Sequence, residues 1–178
     1  CNSTLELVYA DFLFKTGQNA KAKPLLLKHH KKPDIFMKLI RTYELESDNN
    51  SAITFLEERL ETDSFNIEYL ARLGDNYHEV ERVLSAREAY KKVVYLNPND
   101  IVVLGKLANL HLKIPEPNQY DMAIDYCDLA LSKDSTNRTI IQIKGIATFR
   151  KGDFEMAEEN FKTLLEQGDS SIAILKHL

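Results

Sequence analysis

The stretch LARLGDNYHEVERVLSAREAYKKVVYLNP, residues 70–98, decides how the rest of the chain reads. Its apolar and small residues fall as Leu70-x2-Leu73-Gly74-x2-Tyr77, then Ala86-x3-Tyr90-x2-Val93-x4-Pro98. Steps of three and four place them along one side of each of two helices. Pro98 stands where the second helix has to stop, because proline has no N–H to continue the ladder. Gly74 and Ala86 predict a close crossing. Packed helices run about 8–10 Å apart with ridges in grooves, and a bulky side chain at the crossing prevents that. Leu73, Tyr77 and Tyr90 are then the fillers between neighbouring pairs.

The pattern repeats in both directions. A shift of 34 residues gives Leu104-x2-Leu107-Ala108-x2-His111. Its second half arrives three residues late, as Ala123-x3-Cys127-x2-Ala130, and the insert around Pro115-Glu116-Pro117-Asn118 accounts for the delay. A further 34 residues from Ala123 lies Ala157-x3-Phe161-x2-Leu164, preceded by Ile141 and Gly145. Upstream, Ala52-x3-Leu56 follows Phe36, Leu39 and Tyr43, and a weaker unit has Ala10, Leu13 and Gly17 before Ala22-x3-Leu26. No segment alternates as a strand would. Short breaks rich in Gly, Asn and Asp, such as residues 16–19, 47–50 and 151–153, stop one helix and cap the next. No such unit buries its apolar face alone, so the units must stack.

The expected helix pairs span about 3–33, 34–66, 67–100, 101–137 and 138–169. Residues 170–178 read as the start of a further or capping helix, with Ile172, Leu175 and Leu178 on one face. Some positions depart from the pattern. Ile40 occupies a small-residue position, His29 and Arg59 replace late apolar residues, and Lys144 stands at an apolar position. Ala22 and Ala52 are only 30 residues apart, so the turn between their units should be tight or irregular.

These residues resemble the tetratricopeptide repeat family over residues 3 to 169. The match is most specific in residues 70–98, and Lys151-Gly152-Asp153-Phe154-Glu155-Met156-Ala157 is similar to the family's inter-helix turn. The resemblance implies an all-α fold: a right-handed α–α superhelix (solenoid) of stacked antiparallel helix pairs. It implies a non-enzymatic protein–protein interaction scaffold. The first helix of each pair would line a concave groove that holds an extended peptide or a helix of a partner protein. By position, that groove would present Leu7, Asp11 and Phe14, then Met37, Arg41 and Glu44, then Ala71, Asp75 and His78. The last two units would add Asn109, Leu112 and Lys113, then Gln142, Ile146 and Phe149. Its middle would be acidic, through Glu44, Glu68, Asp75 and Glu79, and would favour a basic or polar partner. Some family members grip a peptide's terminal carboxylate with Lys and Asn at fixed positions. Those positions here hold Ala71 and Asp75, then Gly105 and Asn109, so that clamp is not assembled.

Composition sets outer limits. The 178 residues are 44% hydrophobic and 28% charged, typical of a folded globular chain. Net charge is −4, which disfavours nucleic acid as a partner. Residues 1–32 carry +4, residues 33–100 carry −6 and the remainder −2. The run Lys28-His29-His30-Lys31-Lys32 reads as cations at a helix C-terminus. No apolar run reaches the roughly 18 residues of a membrane span, and Glu6 and Asp11 rule out a signal-peptide reading of the first residues. Cys1 leaves open a lipid anchor, and with it a bacterial envelope assembly lipoprotein as the alternative reading. A repeat module serving a catalytic or nucleic-acid-binding domain outside these residues is a further alternative. Envelope and cytoplasm both fit.

No catalytic, metal or cofactor signature is present in the sequence. The six glycines are scattered, without a phosphate-cradling spacing. His-Glu-x2-His and paired cysteines are absent. His111, at the place of Tyr77, reads as a packed, hydrogen-bonded core imidazole. Cys127, at the place of Tyr90, reads as a small buried hydrophobe. Glu57-Glu58 and Glu158-Glu159 are neighbours that point apart on a helix.

Overall fold

The structure is a computed structural model that describes residues 2–168. The segment expected to start a last helix, residues 170–178, and the anchor candidate Cys1 lie outside the described residues. Ten α-helices and no strand occur among the described residues. They are α1 (Asn2–Lys15), α2 (Asn19–His29), α3 (Pro33–Leu45), α4 (Asn49–Thr62), α5 (Ile67–Glu79), α6 (Val83–Leu96), α7 (Ile101–His111), α8 (Gln119–Leu131), α9 (Arg138–Lys151) and α10 (Phe154–Glu166). The fold class is therefore all-α, built of antiparallel helix pairs joined by short turns.

The chain divides into two compact units, residues 1–64 and 65–178. In the first unit α1 packs on α2, α2 on α3 and α3 on α4. In the second, α5 to α10 pack in succession, and α7 also touches α9. The polar breaks at 16–19, 47–50, 97–100, 133–136 and 151–153 lead into α2, α4, α7, α9 and α10. Side-chain oxygens of Asp48, Asn66, Asp100, Asn137 and Asp153 accept the N–H three residues on, at 3.1–3.2 Å. Such caps satisfy one of the donors that a helix start leaves orphaned.

The small residues sit at the crossings. A Cβ added to Gly74 would run into the Tyr90 ring of the paired helix, and one added to Gly145 would come 2.7 Å from the Phe161 ring. Ala108 shares a core cluster with Cys127. The departures from the pattern each have a partner. The turn after α2 is only residues 30–32, as the short spacing requires. Arg59 donates to the carbonyls of His30 and Lys31 there, at 2.8 and 3.0 Å, and stacks over Phe36. His29 and Lys28 both hold Glu6 at 2.8 Å. Lys144 reaches Asp128 at 2.7 Å. The insert is pinned by Arg87 on Glu116 at 2.6 Å and by buried Ile114.

Candidate functional site

The expected groove residues come from the first helix of each pair, and none of the fifteen is fully buried. In the first unit Leu7, Phe14, Met37 and Glu44 are partly buried, and Arg41 is exposed and pairs with Glu44 at 3.3 Å. Asp11 bridges Lys15 at 2.7 Å and Lys38 of α3 at 2.5 Å. Those hydrogen bonds, Lys15 first, hold its carboxyl below the usual carboxylate range.

In the second unit the same motif recurs two pairs along. Asp75 of α5 accepts from Lys106 of α7 at 2.5 Å and from the Tyr90 hydroxyl at 2.6 Å. Burial, then that hydrogen bond, pushes the Tyr90 phenol far up, so it stays protonated. His78 Nε2 stands 3.0 Å from Lys113 Nζ, and the Leu112 carbonyl accepts from Arg150 at 3.3 Å. Asp75 is therefore neutralised within the chain. The acidic face expected around it is reduced to the exposed Glu68 and Glu79.

Between α7 and α9 the motif changes. Asn109 stands at the repeat position of Asp11 and Asp75, and Ile143 at that of Lys38 and Lys106. Where the ion pair would lie, a pocket of about 370 Å³ opens. Its apolar wall is Ile101, Val102, Ile140 and Ile143, and its polar groups are Lys106, Asn109, Asn137 and Thr139. Gly105 matters here. A Cβ on it would come 2.5 Å from the Ile140 terminal methyl, so glycine lets α9's side chain lie under α7.

Of the fifteen residues only Asn109 lines this pocket. Leu112, Lys113, Gln142, Ile146 and Phe149 lie elsewhere on α7 and α9 and their ends, and Phe149 packs edge-on against Phe154. Position-by-position transfer missed Lys106, Ile143 and Thr139, which stand on the same helices within a turn or two of the residues it named. The change from Lys38 and Lys106 to Ile143 in a fixed register was the available signal. Cys127 is buried among apolar residues, and burial pushes its thiol up to about 12, so it is inert at neutral pH. Among the described residues no three His, Cys, Asp or Glu side chains converge as metal ligands. No described helix is long and apolar enough to cross a membrane.

Small-residue crossings, capped short helices and the recurring register of the helix pairs define a helical-repeat architecture. The ten helices fit a tetratricopeptide-repeat array, and the chain has that fold. Residues 67–100 match the tetratricopeptide repeat family model. No curated protein matches the chain in sequence. Among solved structures, a crystal structure of MamA is 23% identical, with 92% of this chain and 90% of that one covered and a TM-score of 0.82. MamA from Desulfovibrio magneticus is 19% identical over 95% of this chain and 97% of its own, with a TM-score of 0.81. A tetratricopeptide repeat protein from Parabacteroides merdae is 15% identical over 98% of this chain and 70% of its own, at 0.86. Tetratricopeptide folds are typically non-catalytic protein-interaction scaffolds.

Proposed function

We propose that the chain is a non-enzymatic scaffold that binds an extended peptide or a helix of a partner protein along the inner face of its first helices, with the α7–α9 pocket as the anchor. The pocket carries this reading. It offers an apolar wall to one aliphatic or aromatic side chain, while Asn109 presents an amide group that pairs with a peptide main chain. The nearby carboxylate of Asp75 is already satisfied by Lys106, so shape and apolar burial, more than charge, select the ligand there. A partner with an apolar anchor residue fits better than the basic one that the sequence suggests.

A phage-displayed random peptide library selected on the full chain tests this. Enriched peptides should carry a common aliphatic or aromatic residue. Asn109→Trp, which fills the pocket, should weaken them at least tenfold, about 1.4 kcal/mol, without lowering the melting temperature. Enriched peptides indifferent to Asn109→Trp would remove the pocket from the reading.

A further inference from the structure

The cations on the groove side of the first helices differ in what they hold. In α1, Asp11 stands one residue after the small residue Ala10 and Lys15 five after it, one helical turn apart on the same face. The two pair at 2.7 Å. Lys38 and Lys106 likewise end on carboxylates, Asp11 and Asp75. On α7, one and five residues after Ala108, the same two places hold Asn109 and Lys113. On α9, after Gly145, they hold Ile146 and Arg150. The acid has been replaced and the cation kept, twice.

Lys113 and Arg150 are both exposed. Lys113 Nζ stands 3.0 Å from His78 Nε2, and Arg150 donates to the Leu112 carbonyl at 3.3 Å. The two cations therefore flank the end of α7, and neither meets a carboxylate among the described residues. The dipole of a helix end favours cations there, but it does not keep acids away: Lys151, next to Arg150, reaches Asp121 at 2.6 Å.

The pocket and this cationic edge lie along one direction. Asn109 borders the pocket and Lys113 follows it by one turn. Gly105 also lines the pocket, and Lys113 stands eight residues beyond it, about 12 Å at 1.5 Å per residue. An extended peptide advances about 3.3 Å per residue and covers that distance in three or four residues.

Taking the pocket as the anchor, on which this step rests, we infer that the partner's segment is acidic as well as apolar. It is an extended peptide with an Asp or Glu side chain three or four positions from the residue in the pocket, its carboxylate held by Lys113 and Arg150. Charge complementarity selects this occupant, in contrast with the basic partner expected from the sequence. A nucleic acid is disfavoured, since the chain's net charge of −4 repels a polyanion.

The test applies the labelled full chain to an array of nonapeptides with Leu or Phe fixed at the centre. Asp, Glu, Asn, Gln or Lys is placed in turn at each other position, and both ends are blocked so that side chains supply the only carboxylates. Asp or Glu three or four positions from the centre should bind about three- to tenfold better than Asn or Gln there, a gain that shrinks as salt rises. The double substitution Lys113→Glu and Arg150→Glu should move the preference to Lys at the same positions, a gain that loss of folding cannot produce. Peptides that Asn109→Trp weakens, but that bind alike with Asp or Asn, overturn the inference and leave the pocket reading intact. A preference for Asp and Glu that the charge reversal does not move overturns it as well. So does a short oligothymidylate that binds this edge more tightly than the acidic peptides. Binding no stronger than that of Asn109→Trp across the whole array removes the pocket reading, and this inference with it.

Discussion

At its crossing the pair α5/α6 places Gly74 on the first helix and Tyr90 on the second. The pair α3/α4 holds Ile40 and Leu56 at the same two places, and all four residues are buried. α5 and α6 approach closely along more of their length than α3 and α4 do. The glycine lets the helices close until the Tyr90 ring lies against its backbone; the isoleucine keeps them further apart and a leucine fills what remains. The fourth pair is intermediate, with Ala108 and Cys127. The position therefore requires a combined volume that fills the gap, and a small residue on the first helix is one way to meet it. Ile40 looks like a departure when read alone and stops being one beside Leu56.

The largest predicted effect breaks this compensation. Gly74→Ile, which pushes a branched side chain into the Tyr90 ring, should cost about 3 kcal/mol in urea denaturation. Adding Tyr90→Leu, which transplants the α3/α4 solution, should recover at least about 1 kcal/mol, because residues in contact couple by about 0.5–3 kcal/mol. A double variant as unstable as the sum of the singles would sink the volume account.

The next effect extends the comparison to the fourth pair. Tyr43 and Tyr77 stand where α7 carries His111. His111 is fully buried and stacked on Tyr126 at 5.6 Å, but neither ring nitrogen has a hydrogen-bond partner among the described residues, in contrast with the hydrogen-bonded imidazole expected from sequence. Burial, then the charge of Arg87, lowers its pKa below the ordinary 6.5. The unfolded chain therefore takes up this proton first. Stability falls as pH drops below 6.5 and levels off below the folded pKa. His111→Phe should raise stability at pH 7 by about 1 kcal/mol, by removing two unsatisfied buried nitrogens. It should also flatten the loss between pH 7 and 5. Parallel pH curves for the two proteins would show that His111 does not titrate as described.

A smaller effect lies in the turns. Each pair has one residue in the left-handed region between its helices: Gly17, Ser47, Glu81, Asn118 and Gly152, with φ of 74°, 58°, 59°, 61° and 91°. A side chain there costs about 1–2 kcal/mol that glycine avoids, offset in part by glycine's greater freedom in the unfolded chain. Glu81→Gly should therefore stabilise the protein by about 0.5–1 kcal/mol, and Gly152→Glu should destabilise it by a similar amount. Thermal melts of the two variants that moved in the same direction would remove strain as the cause.

The helical character, the caps at Asp48, Asp100 and Asp153 and the small residues at the crossings were legible in the sequence, because helical spacing and turn chemistry act over a few residues. So was the shortness of the turn after α2. The roles of Arg59 and Lys144 were not legible. Each reaches a partner more than a dozen residues away, and a charged side chain at an apolar position reads the same with or without that partner. The groove was legible as a set of helices, but not as a site. Repeat position named Asn109 and Asp75 alike; only packing showed that Asp75 is neutralised by Lys106 while Asn109 borders an open pocket.

The chain by itself determined that it would form short capped helices in a recurring frame, since local hydrogen bonding and apolar periodicity are written residue by residue. Which helix faces are filled, which charges are cancelled and where space remains depended on side-chain volumes and ion pairs from different helices meeting at one point. Those are sums over distant positions, and they take a value only when the helices are packed.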